Sequence, residues 1–223
     1  MPTFDELVER FSYLAATPAV AAVFLTAAVL VTIRDRRMLI SAFALQSVFA
    51  SLLFTRVLPA QIAGAKLITG LLISVLYFVT ARQMSESEAT STREQATSIT
   101  RISWQPEAGL PFRIFAVVMV GVVGWQLAND LDLGIPGLEA DVVIATILLV
   151  GLGLLQLGLT DEPFKAGLGL LTVLTGFELF YASVEPALAV MALLAAVDFA
   201  VALASSYLAI IGNLRGMEEQ PSA

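Results

Sequence analysis

The chain has 223 residues, 58% of them hydrophobic and only 14% charged, with a mean hydropathy of +0.86; a soluble domain of this length carries far more charge, so the composition points to a membrane protein. With no Cys and no His, disulfides, thiolate zinc sites, iron–sulfur clusters, His-ligated metals and Ser/His/Asp or Cys/His nucleophilic chemistry are all excluded, and no bound cofactor is expected. The formal net charge of -7 reports extramembrane solubility, and the 12 Lys and Arg residues, with no basic run longer than Arg34, Arg36 and Arg37, argue against nucleic acid as a partner.

A hydrocarbon core of roughly 30 Å requires about 20 apolar residues per helix. The apolar segments predict an all-α integral membrane protein with about seven transmembrane helices, near 19–33, 38–55, 60–81, 112–127, 142–159, 164–183 and 187–211. Before them, residues 1–16 place Phe4, Leu7, Val8, Phe11 and Leu14 at helical spacing with Asp5, Glu6, Glu9 and Arg10 opposite, the pattern of an interfacial helix. No basic region precedes it, so it does not read as a signal peptide. Residues 17–82 form a first three-helix unit, 83–111 a solvated polar linker on the cytoplasmic side, 112–128 a linking helix, 141–215 a second three-helix unit and 216–223 a tail.

Short loops carrying Lys and Arg stay in the cytoplasm. With the N-terminus outside, Arg34, Arg36, Arg37, Arg82, Arg93, Arg101, Arg113, Lys165 and Arg215 all fall inside, and only Arg10 and Arg56 fall outside. The outer connection with Asp130, Asp132, Glu139 and Asp141 agrees.

Both three-helix units read as an apolar helix, a charged turn, a second helix, an outer turn with Pro59 or Pro186, and a third helix closed by Arg82 or Arg215. The linking helix restores orientation, so the repeat is parallel.

An ionisable residue deep in a span costs on the order of 2.5–3.5 kcal/mol on insertion scales. Lys66 in the third span, Glu178 in the sixth and Asp198 in the seventh are such residues, and Lys66 and Asp198 occupy nearly the same place in the two units. One lysine neutralises one carboxylate, so a second acid remains that must hold a proton or be hydrated; this is the chemistry of a proton relay. The alternative is that Lys66 pairs with one acid simply to lock the helices. Thr175 and Tyr181 flank Glu178 at three positions, Ser205 lies two turns beyond Asp198, and Gln46 sits mid-way along the second span; these are supporting polar candidates, for which a helix-to-helix hydrogen bond is a plainer reading than a role in transfer. Ala192, Ala196, Ala200 and Ala204 form a small-residue stripe suited to close helix approach. Gly151-Leu152-Gly153 and Gly167-Leu168-Gly169 lie in apolar spans and do not form nucleotide loops. Trp104 and Trp125 are expected interfacial anchors.

The stretch from Asp161 to Ser206, with Gly167-Leu168-Gly169-Leu170-Leu171-Thr172-Val173-Leu174-Thr175-Gly176-Phe177-Glu178-Leu179 and then Asp198, resembles the K-type membrane subunit of respiratory complex I. The length, the additional spans and Ala65-Lys66-Leu67-Ile68 more closely resemble the E-type membrane component of hydrogenase-4-type complexes. An Asp at 198, where the K-type subunit carries Glu, is a departure. The resemblance implies a multi-pass subunit in a bacterial or archaeal cell membrane, partnered by other membrane subunits of an NADH dehydrogenase-like or hydrogenase-like complex. It also implies no catalytic centre on this chain, with Glu178, Asp198 and Lys66 passing protons. An autonomous proton- or sodium-coupled secondary transporter and a structural membrane scaffold are the other readings.

Overall fold

The computed structural model describes residues 17–94, 109–130, 139–185 and 187–218, and all of its regular structure there is helical. Seven helices follow in chain order: α1 Thr17–Thr32, α2 Arg36–Phe54, α3 Ala60–Glu94, α4 Leu110–Asp130, α5 Ala140–Gly158, α6 Pro163–Val184 and α7 Leu188–Glu218. Six are long and apolar enough to cross a membrane; α1, with 16 residues, is shorter, spanning roughly 24 Å. The interfacial-helix reading of residues 1–16, Trp104, Pro186 and the tail beyond 218 lie outside the described residues.

Local chemistry sets the helix starts. Asp35 caps α2 by accepting from the Arg37 amide at 3.0 Å, and Pro163 opens α6, where a missing N–H costs nothing. Helix α3 continues 35 residues to Glu94, into the segment expected to be a solvated linker. Between Gly70 and Pro106 the sequence has no Gly or Pro, so once the apolar part has nucleated the helix, adding each further turn is cheap.

Helices α1–α2–α3 and α5–α6–α7 form two consecutive antiparallel rows, laid one on the other so that α1 meets α5, α2 meets α6 and α3 meets α7, with α4 packed on α5 and α1. The facing helices run parallel. Lys66 bonds Asp198 early in α3 and α7, and Met84 accepts from Asn213 late in them; Arg36 meets Glu162 near the starts of α2 and α6. Two large apolar clusters fill the interior, with a smaller one of Ala27, Val31, Val117 and Leu152 where α4 meets α1 and α5. Toward the end where Arg56 pairs with Glu139, Val23, Leu53, Phe54, Val142, Leu149, Leu179 and Met191 pack together. Toward the end with Arg36 and Arg82, Leu30, Leu39, Phe43, Tyr77, Phe164, Leu168 and Ala202 do so, with Tyr77 edge-on to Phe164.

Helices α5 and α6 approach closely through glycines. A Cβ on Gly153 would lie 2.8 Å from the Gly169 carbonyl oxygen, and one on Gly176 would lie 2.9 Å from Leu149 Cβ. The glycines that do not form nucleotide loops therefore serve packing. Ala192, Ala196, Ala200 and Ala204 are exposed, so the alanine stripe on α7 turns away from the bundle and is not used by another described helix of this chain.

Candidate functional site

Lys66, Glu178 and Asp198 meet inside the bundle. Lys66 reaches in from about two turns inside α3, Glu178 stands about two turns before the end of α6, and Asp198 is about three turns into α7. The Lys66 ammonium lies 2.5 Å from Glu178 Oε2 and 2.9 Å from Asp198 Oδ2. It donates a well-aligned hydrogen bond to Asp198, whereas its contact with Glu178 is an ion pair without that alignment. One nitrogen thus serves both acids and holds the two carboxylates within about 6 Å of each other. Glu178 is 1% and Asp198 7% exposed. Among the described residues, no N–H or hydroxyl group donates to Glu178 Oε1 or Asp198 Oδ1. The cluster therefore carries one more acid than base in a place with little water.

The parallel packing of α3 on α7 is what brings these groups together, since Lys66 and Asp198 occupy matching heights on paired helices. Glu178 joins from α6, which abuts α7. On its outward side the cluster borders a groove of about 390 Å³ between α3 and α7, lined by Gln61, Ala65, Lys66, Thr69, Met191 and Ala192 among others.

The supporting polar residues do not join the cluster. The Thr175 hydroxyl donates to the Leu171 carbonyl, Tyr181 stacks on Phe177, and Gln46 donates to Thr172 at 3.3 Å. Ser205 is hydrogen-bonded at 2.5 Å to Tyr77. From Asp198 to Ser205 is two turns of α7, roughly 10 Å, which is too far for direct proton transfer. Tyr77 carries no signal in the sequence that sets it apart, yet it lies three turns along α3 from Lys66, on the same face, and a tyrosine in an apolar helix requires a partner for its hydroxyl.

At the arginine-rich end two further groups are buried. Arg113, expected to be a loop cation, is 3% exposed and donates to the carbonyls of Val31 and Leu159 at the ends of α1 and α5. Cations there complement the negative ends of the helix dipoles. Lys165 pairs with Glu162 at 2.8 Å, and Glu162 also accepts from Arg36.

Among the described residues no group of three or more acidic side chains is arranged to hold a metal ion. Comparison of the chain with protein-family models, curated proteins and solved structures finds no match.

Proposed function

We propose that this chain is a multi-pass membrane protein, N-terminus outside, built from two parallel three-helix units and a linking helix, and that it relays protons within a larger proton-translocating oxidoreductase complex of the complex I or hydrogenase-4 class. The observation that carries the reading is the Lys66 ammonium held between Glu178 and Asp198. With two acids against one base, the second acid needs a proton or water, and displacing the ammonium from either carboxylate changes how readily that carboxylate takes up a proton. The outward faces of α3, α4 and α7, with Ile68, Val75, Phe78, Phe115, Val122 and Leu193 exposed, suit lipid or neighbouring membrane subunits.

The test is Glu178→Gln in native membranes. Proton translocation is lost while the assembled complex is still recovered in mild detergent. Undiminished translocation overturns the relay; loss of assembly without a separate transport defect supports a scaffold. The groove beside Lys66 also favours an autonomous carrier, and recovery of the chain alone as a species that moves ions in vesicles would select that reading.

A further inference from the structure

A second cavity lies at the arginine-rich end, between the start of α2 and the later turns of α3, with a volume of about 880 Å³. Its rim holds Arg36, Arg37 and Arg82, joined by Ser41 and Ser85; below them Ile40, Ala44, Phe78 and Ala81 form an apolar wall. The acid in the lining, Asp35, caps α2 through one carboxylate oxygen. Glu162 holds Arg36 from the α6 side at 3.3 Å, fixing its guanidinium at the groove. Phe78 is 54% exposed, so the wall opens sideways out of the bundle.

Height decides what fits. The apolar run of α3 ends at Ala81 and is followed by Arg82, Gln83 and Ser85, so Arg82 and Ser85 stand where that helix leaves the hydrocarbon, level with Arg36 and Arg37 at the start of α2. Three guanidiniums at headgroup level over an apolar cleft match a phosphate diester above an acyl chain, and guanidinium forks bind phosphate oxygens bidentately. A soluble anion would use the rim and leave the apolar wall unmatched; a lipid uses both.

We infer that this groove is a binding site for one anionic glycerophospholipid, its phosphate held by Arg36, Arg37 and Arg82 and an acyl chain lying against Ile40, Ala44 and Phe78. The inference rests on the membrane reading above. The test uses the purified full chain, delipidated and returned to micelles doped with phosphatidylglycerol or phosphatidylcholine, with bound lipid counted by native mass spectrometry and the thermal midpoint measured alongside. Phosphatidylglycerol is retained and raises the midpoint, phosphatidylcholine does neither, and the effect weakens with salt. Arg37→Gln/Arg82→Gln lowers phosphatidylglycerol affinity roughly tenfold or more, whereas Arg34→Gln, at the same end but outside the lining, leaves it in place. Equal retention of both lipids, full retention by the double variant, or a midpoint shift reproduced by millimolar inorganic phosphate alone would overturn it. Recovery of the chain in the soluble fraction would instead defeat the membrane reading itself.

Discussion

The charge count at Lys66 makes a stability prediction that separates a relay from a lock. Lys66→Met leaves two carboxylates, 1% and 7% exposed, without the ammonium that contacts both; removing one partner of a buried ion pair costs about 3–5 kcal/mol. Glu178→Gln leaves the 2.9 Å Lys66–Asp198 pair intact and removes the acid in excess of base, so it costs about 1 kcal/mol, as volume-conserving changes do. The gap of about 3 kcal/mol corresponds to roughly a hundredfold in the folding equilibrium, or on the order of 10 °C in the thermal midpoint. Thermal midpoints of the purified chain, followed by size-exclusion chromatography in one detergent, measure it. The order expected is Lys66→Met far below wild type and Glu178→Gln close to it. Lys66→Met/Glu178→Gln/Asp198→Asn recovers most of the loss, because removing a whole buried charge cluster is far cheaper than orphaning part of it. If Glu178→Gln falls as far as Lys66→Met, each acid is required for packing and the excess-acid argument is wrong.

Helix packing and the groove beside Lys66 supply two more tests. Gly153→Ala puts a methyl group 2.8 Å from the Gly169 oxygen and the Val173 nitrogen and costs about 1–3 kcal/mol, whereas Gly212→Ala, with nothing within 4 Å, gains about 0.5–1 kcal/mol; thermal midpoints of the two should move in opposite directions. If the groove between α3 and α7 is the access route to Lys66, Ala192→Trp, which fills it, slows proton uptake in vesicles while Tyr77→Phe leaves uptake near wild type; the reverse order would place the route through the Tyr77–Ser205 pair.

The cluster was legible because charge is rare in apolar helices: Lys66, Glu178 and Asp198 stand alone in the interiors of their spans, and counting from Arg82 and Arg215 sets Lys66 and Asp198 at one height. That Lys66 would serve both acids was not legible, since it depends on how α6 and α7 sit against α3. Gln46 and Ser205 make helix-to-helix hydrogen bonds, the plainer of their two readings, and Thr175 bonds elsewhere for a local reason. Spacing of three positions puts Thr175 beside Glu178, but a helical Thr hydroxyl has a closer acceptor in the carbonyl one turn back, and Thr175, Thr172, Ser47 and Ser74 all take it. Periodicity could rank Gly153, Gly169 and Gly176 no higher than the alanines of α7, because both patterns permit close approach and only the pairing of α5 with α6 selects one. The polar residues after Arg82 read as a linker because they lack an apolar face, yet a helix that continues from a packed span needs only the absence of breakers.

The position of the cluster bears on how it can work. It lies nearer the Arg56–Glu139 end of the bundle than the arginine-rich end, and beyond it the next buried hydroxyl on α7, Ser205, is roughly 10 Å away and already engaged by Tyr77. Passage straight through this chain would therefore need several ordered waters between Asp198 and Ser205, while the groove between α3 and α7 brings Lys66 close to whatever covers that face. The exposed Ala192 lines that groove and heads the stripe through Ala196, Ala200 and Ala204, small enough to admit a neighbouring helix at short range. If the chain relays protons among partner subunits as proposed, a helix seated there would bring its own polar groups near Lys66 and let a proton move sideways between subunits rather than across a single one. With Lys66, Glu178 and Asp198 gathered between α3, α6 and α7 and no continuation along the bundle beyond Asp198 until Ser205, that route requires fewer new contacts than a full crossing.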